Sequence, residues 1–241
     1  MKRFLTTLVT FGLLIGLGVL AALARPQASS RADISAIGHG TILSIGTQSA
    51  SPVIAPAATN KLNVIAMPLN AAQQFTAAGK NFDADDLASI VGAGVQQVLT
   101  WNAGSSGYRA WYPQDGEGDN FGLVVGGVYR LVVDSTAPSV VSFVGDVPAQ
   151  GSVQFSLVRP TGAGCKINDI SIPLNRSDIS TADQLAISVG NVSQVLEWNA
   201  ATQSYKAWYP QDGEGDNFAT KIGFPYRLCL LSGGLTTWPT P

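Results

Sequence analysis

Three acids at alternating positions are the strongest hint of chemistry in this chain. Asp115, Glu117 and Asp119 stand at i, i+2 and i+4, Asn120 follows, and glycines separate the acids. The same letters recur at Asp212, Glu214, Asp216 and Asn217. Glycines let a backbone fold tightly, so the carboxylates could converge on one cation. Calcium takes roughly six to eight oxygens, and alternating carboxylates with main-chain carbonyls supply them in known loops. Calcium is therefore the one cofactor this spacing suggests. The EF-hand pattern is not met: its sixth position is Asn120 rather than Gly, and its twelfth is Gly126, or Gly223 in the second copy, rather than Glu. The competing readings are a solvated acidic hairpin tip and direct contact with a ligand.

Aromatic residues flank this loop. Trp111 and Tyr112, with Trp208 and Tyr209, are candidate sugar-stacking residues, since aromatic faces beside polar groups hold saccharide rings. Trp101 and Trp198 share a strand face with Val and Leu and read as core. Trp111 and Trp208 share a face with Arg109 or Lys206 and read as partly exposed. Arg130 and Arg227 each follow a tyrosine in matching strands and read as a solvated strand face.

Other chemistries find little support. His39 is the only histidine and lies between glycines, a poor basis for a nucleophile–histidine arrangement. The phosphate-binding loop ending in Lys-Ser/Thr and the nucleophile elbow are both missing from the sequence. A glycosidase needs two carboxylates across a cleft. Glu117, Asp119, Glu197 and Glu214 exist, but a duplicated pair at a loop tip is a poor start. The expectation is a non-enzymatic protein. Charged residues make up 12% of the chain and the formal net charge is −2, so a nucleic-acid partner, which wants a basic face, is not expected.

The acids sit inside a duplication. AWYPQDGEGDNF at residues 110–121 recurs at 207–218. Trp101-Asn102-Ala103 matches Trp198-Asn199-Ala200, Tyr129-Arg130-Leu131 matches Tyr226-Arg227-Leu228, and Met67-Pro68-Leu69-Asn70 matches Ile172-Pro173-Leu174-Asn175. A repeat of about 100 residues is long enough for its own core. The expected organisation is module 1 at 33–134, module 2 at 139–232 and a tail at 233–241. The fold class is mainly β (α+β), each module an antiparallel sheet or sandwich with one short helix.

Each helix has a start and a stop. Asp83 or Asp85 can cap residues 83–91, Ser180 or Thr181 can cap the second copy, and Gly92 and Gly190 sit where helices end. Residues 95–101 read as a strand with Val95, Gln97, Leu99 and Trp101 on one face, hairpinned to residues 108–112. Extra residues around 75–80 read as a surface loop. Residues 140–144 and 153–158 read as a hairpin, with a weak counterpart at 34–46. The tail is too rich in Pro, Thr and Gly to suggest structure.

Lys2 and Arg3 precede an apolar run at 4–22 and then Ala22-Leu23-Ala24, the pattern of a secretory signal peptide. The leader, 1–24, is either cut after Ala24 or kept as a membrane anchor through residues 4–24, with 25–32 as a stalk. Either way the rest is expected outside the cytoplasm, secreted or at the cell surface. Export favours pairing of the two cysteines, Cys165 and Cys229. Their counterparts in the first copy are Asn60 and Val132, so only the second module would be cross-linked.

The ordered run of a strand ending in Pro-Leu, a capped helix, V-x-x-V-L-x-W-N-A, Y-x-A-W-Y-P, a Gly-rich loop and an aromatic-led strand resembles tandem modules of bacterial secreted and cell-surface proteins. The resemblance covers about residues 60–134 and 165–231. It implies a non-catalytic surface or extracellular component, structural or adhesive, whose partner is a cell-surface or extracellular polymer or protein. The alternative reading is a glycan-binding protein, in a calcium-dependent form or not, with one site per module.

Overall fold

The computed structural model describes residues 60–138 and 140–239. The leader, the stalk and the weak hairpin at 34–46 lie outside the described residues. Two five-stranded antiparallel sheets with one strand order dominate what is described. The first comprises β1 (Lys61–Ala66), β2 (Val95–Asn102), β3 (Gly107–Tyr112), β4 (Glu117–Gly118) and β5 (Val128–Val133), ordered β1-β5-β2-β3-β4. Between β1 and β2 lie helices α1 (Ala72–Ala77) and α2 (Ala84–Val91). A two-residue strand, β6 (Phe155–Ser156), follows β5. The second sheet comprises β7 (Lys166–Ser171), β8 (Val192–Asn199), β9 (Ser204–Tyr209), β10 (Glu214–Gly215) and β11 (Pro225–Leu230), ordered β7-β11-β8-β9-β10, with α3 (Ala182–Val189) after β7. A last short strand, β12 (Thr237–Trp238), pairs with β6.

Local chemistry sets the helix ends. The Asp83 carboxylate accepts the Asp86 N–H at 3.0 Å, and the Thr181 hydroxyl accepts the Gln184 N–H at 3.2 Å. Each satisfies a donor the first turn leaves unpaired. α2 and α3 lay Leu87 and Val91, or Leu185 and Val189, against one face of their sheets, and each module closes around its own apolar cluster. Tyr129 and Tyr226 stack on Phe121 and Phe218 and accept the N–H of Val124 and Lys221. Burial pushes the Tyr129 hydroxyl up to about 12.

Several expectations are corrected. Residues 72–77 form α1 rather than a surface loop, because Phe75 is fully buried, edge-on to Phe82 at 4.9 Å. Residues 140–158 form no hairpin: Val141 and Phe143 pack on the first cluster, and Phe155 and Leu157 on the second. The tail is anchored, with Trp238 only 1% exposed and its indole N–H donated to Ser188 Oγ. In β2 a bulge between Val95 and Gln97 breaks the two-residue alternation. Val95 and Val98 therefore share the core face, while Leu99 and Trp101 face away from it.

That outward face meets the other module. The Trp101 indole N–H donates to the Ile167 carbonyl at 2.8 Å, and the Trp198 indole N–H to the Leu62 carbonyl at 2.9 Å. Ile167 and Leu62 are equivalent positions, so the two contacts are reciprocal. Both tryptophans are half-buried here rather than in a module core, each edge-on to a tyrosine, Tyr108 or Tyr205. Gln203 uses both ends of its amide on Leu62, accepting its N–H and donating to its carbonyl. These bonds take up both peptide groups of Leu62 on the edge strand β1.

Arg130 and Arg227 are not solvated. Arg227 faces Asp169 across its own strand pair and binds both carboxylate oxygens, at 2.8 and 3.0 Å. Arg130 faces Val64 instead, so it reaches across to the same Asp169 at 2.6 Å. The Arg130 and Asp169 side chains are 2% and 5% exposed. Arg130 also lies over the Tyr108 ring, and Arg227 over Trp101. Burial alone would raise the Asp169 pKa, but Arg227 and Arg130 outweigh it and hold the carboxyl below its ordinary value.

Within the second module Cys165 and Cys229, 64 positions apart in sequence, form the expected disulfide, with Cα atoms 5.4 Å apart. Closing a loop of that length contributes about 4 kcal/mol in the chain-entropy picture.

Because Asp169 is shared, its loss strands the buried Arg130 guanidinium and the partly buried Arg227 guanidinium. Asp169→Asn is expected to cost about 3–5 kcal/mol in urea denaturation at pH 7. A lowered folded pKa means Asp169 stabilises the fold above its unfolded value, about 4, and ceases to as pH falls further through the folded value. Between pH 5 and pH 2 the wild-type chain should lose more stability than Asp169→Asn. Equal losses in the two proteins would disprove the assignment.

Candidate functional site

The duplicated acidic stretch folds as a short hairpin in both modules. β3 pairs with β4 so that Tyr112 stands opposite Glu117 and Trp111 opposite Gly118. The Tyr112 carbonyl accepts the N–H groups of Asp115 and Gly116, which closes the turn. Gly116 and Gly118 both have positive φ, and a Cβ on Gly118 would lie 2.4 Å from the Ala110 carbonyl oxygen. Backbone geometry thus requires the glycines between the acids.

Several candidate metal ligands are engaged elsewhere. The Asn120 carbonyl oxygen accepts the Asp85 N–H at 2.9 Å, and Asn217 does the same for Asp183. Asp119 forms a two-point pair with Arg109. Hydrogen bonding from that guanidinium, on an exposed surface, holds the Asp119 carboxyl below its ordinary value. Asp115 lies at the turn and Glu117 on β4, both exposed, as are Asp212, Glu214 and Asp216. Among the described residues no group of three His, Cys, Asp or Glu side chains is gathered closely enough to hold a metal ion.

The aromatic candidates separate into two kinds. Trp111 and Trp208 turn toward their helices, half-buried, and their indole N–H groups bind Asp85 and Asp183 at 3.0 and 3.2 Å. Both pack against the module cores rather than standing out from the sheet. Tyr112 and Tyr209 turn the other way and are each 37% exposed. One end of the repeated stretch therefore clamps the helix. Trp111 holds Asp85 from one side and Asn120 its N–H, while the Phe121 carbonyl accepts the Ala84 N–H.

Between the modules runs an open cleft of about 360 Å³, lined by Trp101, Asn102 and Arg109 on one side and Val158, Asn168 and Asp169 on the other. Its buried polar groups already have protein partners: Asn168 holds both main-chain groups of Val158, and Asp169 holds the two arginines. Sequence reasoning missed Asp169 and Gln203. A usable signal was an acid in β7 at the position where the first copy has Val64. Gln203 stands in a turn like any solvated glutamine and gives no such signal.

Comparison with protein-family models, with curated proteins and with solved structures finds no match to this chain. The geometry alone must carry the reading.

The clamp predicts unequal sensitivity along the hairpin. Asn120→Ala and Asn217→Ala should each cost about 1 kcal/mol, as loss of a helix-capping acceptor does. Asp115→Asn and Glu117→Gln should stay within about 0.5 kcal/mol of wild type. Thermal melts of the four variants would show it, and a uniform response would refute the clamp.

Proposed function

We propose that the chain is an exported, non-catalytic component of a cell surface or extracellular matrix, structural or adhesive in role. One observation carries this reading. The letters repeated without change are spent largely on holding each module together: Trp111 and Asn120 on the helix, Phe121 in the core, the glycines on the hairpin. A duplication whose most constant residues serve the fold supplies a scaffold in two copies.

Two further features support it. A disulfide is at home in an oxidising compartment. The buried ion pairs and reciprocal tryptophan contacts also lock two modules into one body, which suits a load-bearing or display role more than a hinged enzyme. The basic-then-apolar leader accounts for the export.

Fractionation of the source cells should place the chain in the medium or the envelope, accessible to added protease, and absent from the cytosol. Ester, peptide and glycoside panels should show no turnover above the background of a heat-inactivated sample. A cytosolic chain with a free Cys165 thiol would overturn the localisation, and turnover that survives repurification would overturn the rest.

A further inference from the structure

Among the described residues, four aromatic side chains stand out as exposed: Tyr108 at 45%, and Tyr112, Tyr205 and Tyr209 at 37% each. They are two equivalent pairs on equivalent strands, Tyr108-x-Ala110-x-Tyr112 on β3 and Tyr205-x-Ala207-x-Tyr209 on β9. Alternation puts each pair on the sheet face opposite Trp111 or Trp208. Two rings four residues apart along a strand are separated by about 13 Å. The alanine between them leaves a shallow floor. Other large aromatics in the described chain are buried or half-buried, so the exposure of these four is selective.

The neighbouring charge narrows the ligand. Glu117 stands directly opposite Tyr112 in the β3–β4 pair, and Glu214 opposite Tyr209. Directly opposed residues project to the same side of a sheet, so a carboxylate lies beside each outer ring. Arg109 and Lys206 alternate to the other face. The inner ring is engaged at the module interface, where Tyr108 accepts from Arg227 and lies under Arg130, so the free outer end of each patch is a tyrosine ring, its hydroxyl and a carboxylate.

The geometry points to a neutral, hydroxyl-rich polysaccharide as the ligand of these two tyrosine patches. A sugar ring has an apolar C–H face to lie on tyrosine and hydroxyls at its edge to donate to the carboxylate. A polyanionic glycan would meet Glu117 and Asp115 with like charge. A proline-rich peptide would stack on tyrosine but offers few donors for the acid. Two outer tyrosines in one chain suit a repeating polymer, because the second engagement is intramolecular. This inference rests on the surface or extracellular reading above, and it places the contact on Tyr112 and Tyr209 rather than on Trp111 and Trp208.

The test is retention of the full chain on insoluble cellulose, chitin and β-1,3-glucan, with polygalacturonate and poly-L-proline resins alongside. Tyr112→Ala, Tyr209→Ala and the double variant are compared; neither tyrosine takes part in the module interface, and unchanged thermal melts would confirm intact folding. The expected result is retention on at least one neutral polysaccharide, weakened about tenfold by each single change, as loss of one aromatic stacking partner implies, and abolished in the double variant. Retention unchanged in the folded double variant, or preference for polygalacturonate or poly-L-proline, would overturn the inference. A chain found at the cell surface yet held by none of the three neutral polymers would sink the ligand while leaving the surface reading intact. A cytosolic chain would remove both.

Discussion

One carboxylate serving two arginines fixes how the pair of modules dock. In the second module the acid and its arginine are cross-strand neighbours, Asp169 and Arg227. The first module has kept the arginine and has Val64 where the acid would be. Arg130 therefore has its partner only if the modules dock in this orientation. Removing ions from water costs several kcal/mol each, so such a triad adds little net stability over an apolar contact. Its effect is on selectivity. Any other docking would leave Arg130 buried without a counter-ion or force the interface open. The Arg130 Nε still has no protein partner, so the cost is met only in part, by Asp169 and the Tyr108 ring.

The reciprocal tryptophan contacts make the same interface nearly two-fold symmetric, and the triad breaks that symmetry. Equal halves joined in one chain can pair within the molecule or between molecules. The indole-to-carbonyl bonds are the same in both directions and give no preference for one partner. Gln203 on Leu62 has Ser106 at its equivalent position, which reaches only Lys166 on the facing strand. Together with Asp169 these differences distinguish module 1 from module 2. A first module meeting a second satisfies all of them, while two first modules would bring two buried arginines and no acid.

Much of this arrangement was legible in the sequence. The duplication, the capped helices, the strand succession and the cysteine pair all rest on local pattern or on matching positions, and each local preference agrees with the final fold. The orientation of Trp101 was not legible, because a single bulged residue in β2 turns every later side chain over. Phe75 misled for a related reason. A six-residue helix is too short to leave a periodic signal, and its burial depends on Phe82 and on a connector far along the chain. The arginines misled because a charged residue in a strand is usually solvated. Arg227 is an exception through Asp169 on the neighbouring strand and Arg130 through the same acid in the other module, both at sequence separations no window reaches.

The acidic hairpin shows why constancy between copies is not evidence of a site. Its glycines, its Asn and its Phe have structural duties that no substitution of similar size would meet, and a duplicated fold keeps such residues whether or not anything binds. The sharper functional signal is a residue whose constancy the fold does not need. Tyr112 and Tyr209 belong to neither apolar cluster and cap no helix, and each leaves over a third of its surface in water. Between the two equivalent strands, Arg109 has become Lys206, yet both outer tyrosines have kept their type and their exposure. Neither the cores nor the helix caps account for that constancy.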